Sequence, residues 1–483
     1  MNIKEILKTG ENANPNYLAT ICKIESTSPI VGADRLVKTV INGYDIVISK
    51  DMKPGDIVVY IPVESSICDE FLSKNNLYEL SCYEKNTNHD EIEKLKVLLE
   101  SANKEESQKI SNEIKSKCGF FNKHGRVRMI KLRGQYSMGY IISWETFINT
   151  FGLELAPEIG YKFNMVNDIE FCTKYIPFTE LKPNNHVGTG SGNKANKKLK
   201  KFDKLIPGTF EFHYDTKQLG QYMDALEPLD SVCVTTKLHG TSGIFSKLPI
   251  RRELSVFDKI KKFFGIKVRE TEMGNIYSSR KVIKNQYINQ GVTGGFYNMD
   301  VWGEVNKMIE PFLNDNMTIY GEIVGYVPGT RTCIQKNPDH DYGCKPGEWK
   351  FMPYRINENG HEWEVKQVIL WTQNMIAKHS ELRNNLMPMD LLYCGLVKDM
   401  YPTINYNDEN WRNEFLECIK NDKDRFGMEL DEPLCKNKVP REGIVIRING
   451  DKLNRAWKVK TMRHYGIEAE QHDKGEVDME ELG

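Results

Sequence analysis

The 483 residues include eleven cysteines, yet there is no C-x-x-C pair and no Cys/His spacing of the zinc-ligand kind. That absence excludes zinc ribbons, zinc fingers and thioredoxin-like redox motifs. The cysteines read as reduced thiols of an intracellular chain. No run reaches the ~18 apolar residues of a membrane span. The opening MNIKEILKTGENANPN has no apolar stretch of the secretory-signal kind. The expectation is a soluble, intracellular protein with no membrane partner. An excess of one charge is missing too, since 66 basic residues meet 67 acidic ones. This argues against histone-like, purely electrostatic nucleic-acid binding, but a local basic face remains open.

The length allows two or three domains, and composition shifts suggest where they divide. Between 17 and 63, short β-branched runs (Tyr17–Ile24, Arg35–Val40, Tyr44–Ile48, Ile57–Val63) alternate with Gly, Asn, Pro and Asp turns. This is the pattern of a small antiparallel barrel. Residues 84–117 break it: Ile92, Leu95, Leu98, Leu99, Ile110 and Ile114 recur at helical spacing amid Glu and Lys, which predicts an inserted helical hairpin. A strand over 125–134 would set Arg126 and Arg128 on one face, near Tyr136 and Tyr140, as a surface for phosphates and stacked bases or simply a solvated face. Residues 177–204 read as a linker. Its Gly188–Gly192 string lacks the strand and helix that a phosphate loop needs. Mixed strand and helix patterns over 205–465 predict an α+β domain. The acidic end, 466–483, reads as a frayed tail.

Chemistry concentrates in residues 205–465. Lys237-Leu238-His239-Gly240 follows a strand-like run and precedes, in order, Ser279-Arg280, Tyr320-Gly321-Glu322, Phe351–Ile356, Glu442-Gly443 and Lys458-Val459-Lys460. Singly, each is compatible with a surface lysine, a turn or a solvated strand. Together they describe an amine nucleophile surrounded by phosphate-binding cations. An unperturbed lysine is almost wholly protonated at neutral pH. Burial and neighbouring cations such as Lys458 and Lys460 make a better nucleophile of it. Attack on an α-phosphate also needs positive charge at the phosphoryl oxygens. Glu442 and Glu322 are the carboxylates that could hold Mg²⁺ or Mn²⁺, and Tyr354 could stack on a purine.

These motifs resemble the covalent nucleotidyltransferase superfamily of ATP-dependent ligases and mRNA capping enzymes. The Lys-x-His-Gly form is typical of certain RNA ligases, where others carry Asp at the position of His239. A barrel-like module before the catalytic domain, with only 23 residues after Lys460, is similar to the Deinococcus-type RNA ligase family. The resemblance implies an N-terminal OB-like β-barrel module (1–176, with the 84–117 insertion) followed by a nucleotidyltransferase domain of ATP-grasp-like ligase type (205–465). It implies ATP as substrate, with AMP captured on Lys237, passed to a 5′-phosphate and displaced by a 3′-hydroxyl. RNA, as nicked duplex or RNA-containing ends, would be the partner, in a repair role. Lys237, Arg280, Lys458 and Lys460 would be catalytic. The nucleotide would be bound by Lys237, His239, Gly240, Arg280, Glu322, Tyr354, Glu442, Lys458 and Lys460. Thr236 departs from the pattern, because many related ligases have Glu there. A GTP-dependent capping guanylyltransferase and a non-catalytic RNA-binding protein with a relict site are the competing expectations.

Overall fold

The computed structural model describes residues 2–177, 202–213, 215–285, 297, 299–451 and 453–475. The chain divides into two compact units, residues 1–177 and 178–483. Most of the expected linker and the final residues 476–483 lie outside the described residues.

In the first unit, strands β1 (Ala19–Lys23), β2 (Leu36–Ile41), β3 (Tyr44–Ser49), β4 (Ile57–Pro62), β5 (Gly139–Ser143) and β6 (Lys162–Phe163) follow the β-branched runs. An antiparallel sheet runs β5-β4-β1-β6. β2 and β3 form a hairpin across Asn42-Gly43, both at positive φ, as the two-residue turn demands. Ala19, Ile21, Val59 and Ile61 point into a core with Phe71, Phe147, Phe163 and Phe171. The remaining strands make separate short ladders, so no closed barrel forms among the described residues.

Of the strand predicted over 125–134, only Ile130–Leu132 forms, paired with Gln135–Ser137, and 126–129 is not part of a ladder. Arg126 turns inward, almost fully buried, and donates to Glu64 from Nε and Nη2 at 3.0 and 2.8 Å. It therefore does not form the expected phosphate-facing surface with Arg128. The helical insertion is present as α1 (His89–Ser101) and α2 (Lys104–Ser116), the second opened by an Asn103/Glu106 capping box. Ile92, Leu95, Leu99, Ile110 and Ile114 close on Tyr83. Leu98 departs from the prediction and stays exposed.

The second unit contains two five-stranded sheets. The first has the order β7 (Lys217–Gln218), β16 (Ala456–Lys460), β15 (Gly443–Ile448), β8 (Ser231–Lys237), β14 (Leu391–Leu396). The second has β10 (Thr271–Ser278), β9 (Thr241–Arg251), β11 (Met317–Gly325), β12 (Trp349–Glu358), β13 (His361–Glu362). Alternation decides which way each strand faces. Val232, Val234, Ile444, Ile446, Trp457 and Val459 enter one core with Trp411 and Phe415 of the helix Trp411–Asn421. Their neighbours Thr235, Lys237, Val445, Arg447 and Lys458 are left to line a cleft. The other sheet is backed by the helices Val301–Ile309 and Val365–Lys378, which pack Trp302, Val305 and Val368 on Phe245, Ile319 and Phe351.

Two expectations are corrected here. Cys233 and Cys394, register partners on β8 and β14 with Cα atoms 4.2 Å apart, are paired as a disulfide rather than left as thiols. Their separation of 161 residues hides the pair from sequence spacing. The start of the acidic end does not fray: Glu468 belongs to the helix Met462–Asp473, held by the buried His464, Tyr465 and Ala469.

Candidate active site

A cleft opens between the two sheets, lined by Lys237, Arg280, Glu322, Tyr354, Arg447 and Lys458 among others. Lys237 ends β8, where its register partner on β15 is Gly443. Gly443 in turn faces Lys460 on β16. One row of backbone thus carries two lysines with a glycine between them. Gly443 has φ +151°, and an added Cβ would lie 2.0 Å from the Val459 carbonyl oxygen, so no side chain fits there. After Lys237 the chain turns into β9. This turn is fixed by His239 N–H donating to Tyr342 Oη (2.7 Å), Gln335 donating to Gly240 O (2.7 Å) and Trp302 donating to Ser242 O (2.9 Å).

Glu442 collects charge. Its carboxylate meets Lys237 Nζ at 2.7 Å, Lys460 Nζ at 3.5 Å, His464 Nε2 at 3.6 Å and His239 Nδ1 at 3.7 Å. Burial opposes its ionisation, but Lys237, His464, Lys460 and His239 together hold it far below the usual carboxylate range. His464 reaches this cluster because Thr461 caps the helix that starts directly after Lys460, its side chain accepting from His464 N–H. Glu468, one turn further along, meets His464 Nε2 at 3.4 Å and binds Lys460. It too is held well below its ordinary range, since the neighbouring Lys460 and His464 outweigh its burial.

His239, Glu442 and His464 bring one potential ligand atom each to within 4.8 Å of one another. Two of the polar atoms here, Glu442 Oε2 and His464 Nδ1, are buried without a hydrogen-bond partner among the described residues. Unsatisfied buried polar atoms are costly. Such atoms beside a convergent donor set fit a divalent cation, with two imidazoles and one carboxylate as ligands. Glu322, the other expected ligand, lines the cleft and is not one of this trio.

A second charged group sits across the cleft. Asp215 Oδ1 binds Lys458 Nζ at 3.1 Å and lies 3.7 Å from Arg280. Burial pulls the Lys458 amine down to about 8; Asp215 resists, while Lys460, Lys237 and Arg280 reinforce the fall. Lys458 and Lys460 therefore share a strand face, as their spacing predicts, but serve different carboxylates. Tyr354 Oη lies 3.3 Å from Ser242 Oγ, and the Arg447 guanidinium stands 5.2 Å from its ring centre. Burial pushes the Tyr354 phenol up to about 12 and pulls Arg447 down to about 10. A wider hollow adjoins the cleft, sharing His213, Asp215, Thr216 and Arg447 and adding Lys217, Tyr222 and Arg455.

Of the sequence-predicted site residues, Lys237, Arg280, Glu322, Tyr354 and Lys458 line the cleft, whereas His239 and Lys460 gather at the Glu442 carboxylate. Gly240 secures the turn between them through its carbonyl. Sequence reasoning missed Asp215, Arg447, His464 and Glu468. For the last two a signal existed: a capping threonine followed at i+3 by His and four later by Glu puts both on one helix face.

Comparisons with known proteins bear on the fold. A family described as an OB-fold domain matches residues 18–111. No curated protein matches the chain in sequence. Among solved structures, Naegleria gruberi RNA ligase with PPi is similar at 17 % identity and a TM-score of 0.50, covering 95 % of this chain and 99 % of that one. Two point mutants of the same ligase, each with ATP and Mn, give 17 % identity with a TM-score of 0.50 (96 % and 99 % covered) and 18 % with 0.51 (93 % and 98 %). The chain is an α+β protein whose residues 18–111 match an OB-fold domain family, and its fold is similar to that of the Naegleria gruberi RNA ligase structures.

Proposed function

We propose that this chain is an ATP-dependent RNA ligase of the Deinococcus-type arrangement, sealing 5′-phosphate and 3′-hydroxyl ends at nicks in RNA repair. The observation that carries the proposal is the placement of Lys237: its amine lies at the cleft wall, ion-paired to Glu442 and neighboured by Lys458 and Arg280.

In this reading ATP enters the cleft with its purine beside Tyr354 and Arg447. Its phosphates displace the Asp215 carboxylate from Lys458 and Arg280, which makes that carboxylate the resident stand-in for phosphate oxygens. Lys237 Nζ then bonds to the α-phosphorus as the bond to the leaving pyrophosphate breaks. Lys458 and Arg280 compensate the charge that develops on the oxygens. Glu442 orients Lys237 and Lys460, and the proton that the Lys237 amine must lose before attack leaves to solvent. AMP passes from Lys237 to an RNA 5′-phosphate, and a 3′-hydroxyl expels it as the new phosphodiester forms. The adjoining hollow, with Lys217, Tyr222 and Arg455, offers the polynucleotide a basic and aromatic wall. A divalent cation held by Glu442, His239 and His464 would neutralise phosphate charge and compete with the lysines for the carboxylate. Its nitrogen donors favour Mn²⁺ over Mg²⁺.

Intact-mass measurement after incubation with a divalent metal and ATP or GTP tests the proposal. The expected result is an AMP adduct on the wild type with ATP only. A GMP adduct would move the assignment to capping. Absence of any adduct from protein that started AMP-free would reduce the site to a relict.

A further inference from the structure

Between β9 and β10 the chain leaves its sheet and forms the helix α3, Val256–Phe263, entered through a Ser255/Asp258 capping box. None of its residues is buried. Arg252 binds Asp258 at 2.7 Å and Lys262 binds Glu270 at 2.9 Å, which ties the polar side to the flanking chain. The apolar side is open: Phe263 is 86 % exposed, Phe257 77 %, Phe264 72 %, Val256 71 %, Ile266 55 % and Ile260 48 %. Exposed apolar residues scattered singly are ordinary, but six in one short segment are not.

The faces are cleanly separated. At 3.6 residues per turn, Val256, Phe257, Ile260, Phe263 and Phe264 form one arc, and Asp258 and Lys262 lie opposite. Lys259 and Lys261 border the arc on its two sides, where their stems can lie along apolar surface while the ammonium groups reach outward. Residues 251–270 hold seven basic and three acidic side chains, in a chain that is nearly neutral overall.

We propose that α3 docks the protein on an anionic phospholipid surface, lying in the interface with the phenylalanines among the acyl chains and the lysines at the headgroups. Segregated faces, phenylalanine on one side and lysine around it, are what an in-plane interfacial helix needs. A membrane span is not at issue, because no helix among the described residues is long and apolar enough to cross. Stacking on RNA would need aromatic rings and phosphate-binding cations on one face. A second copy of the chain would bring two lysine-bordered arcs together, like charge against like. The location suits docking: α3 joins the ends of β9 and β10 remote from Thr241 and Ser278, a strand of eleven residues away from the cleft. At ~3.4 Å per residue that is roughly 35 Å, so a bound membrane leaves the cleft open.

Vesicle flotation of the full chain tests this, using phosphatidylcholine with and without phosphatidylserine. The wild type is expected to float with the anionic vesicles and about tenfold less with neutral ones. Phe257→Ser/Phe263→Ser and Lys259→Glu/Lys261→Glu should each cut anionic binding about tenfold with the thermal melt unchanged, since the replaced side chains are exposed. Failure of the wild type to float, or flotation indifferent to the phenylalanine pair, would overturn the proposal. So would light scattering that shows a dimer abolished by that pair, which would assign the face to a second copy.

Discussion

Two buried carboxylates, one in each unit, meet opposite charge in opposite ways. Glu64 accepts two parallel hydrogen bonds from Arg126, which stacks beside Tyr175 at 5.1 Å. Glu442 faces two lysines and two histidines, yet one of its oxygens has no hydrogen-bond partner among the described residues. The first arrangement is saturated and sets chain geometry. The second keeps coordination in reserve, and a site that must take up a ligand needs that reserve. Ion pairs alone would mark Glu442 as firmly held. Its unmet hydrogen-bonding capacity is what separates the two.

The widest separation should come from Lys237→Ala, which is expected to abolish the AMP adduct in intact-mass spectra; an adduct at wild-type level would place the nucleophile elsewhere. Next come the two glutamates. Glu442→Gln should lower the rate of adduct formation by about a hundredfold while the protein stays folded, because an electrostatic contact to the reacting group is lost. Glu64→Gln should do the reverse. It strands Arg126, destabilises the first unit by about 3 kcal/mol in urea unfolding, and leaves adduct formation per folded molecule unchanged. If both behave alike, the contrast between a saturated and an open carboxylate fails.

A smaller effect is expected from His464→Leu: Mn²⁺ affinity measured by electron paramagnetic resonance should weaken about tenfold, with Mg²⁺ affinity little changed. Equal loss for both ions would exclude imidazole ligation. The mildest test is pH. Lys458 is drawn down to about 8 in the free protein, and it must be charged to hold phosphate. kcat/KM for ATP in the adduct-forming step should therefore fall as pH rises through about 8. Asp215 raises this amine, so Asp215→Asn should move the falling limb to lower pH; a limb that stays put would assign it to another group.

Much of the site was legible because its motifs sit on strands, where period two fixes direction. Lys237, Glu442 and Lys460 could be expected near one another once β8, β15 and β16 were seen as neighbouring runs with one lysine face. What was hidden depends on long-range pairing. Asp215 reaches Lys458 across 243 residues and Arg126 reaches Glu64 across 62, and no local pattern encodes either contact. The basic strand face drawn at Arg126 failed because alternation gives the side of a ladder, not whether a ladder persists. The start of the acidic tail departs for another reason: composition suggested fraying, but Glu468 had a lysine and a histidine to bind. The OB-like module was readable as short strands and turns, while the closure expected of them was not realised.

Gly443 carries a consequence for how this site can change. With one strand on each side and no space for a side chain, it acts as a gauge block that sets the distance between Lys237 and Lys460 by backbone alone. Charges at either end can be exchanged without altering that interval, so lysine-to-arginine variants probe reach and not spacing. Replacing the glycine would do the opposite, moving every charge on β16 at once while leaving each chemically intact. In a randomised library it should be the position that tolerates least, even under selection for folding alone.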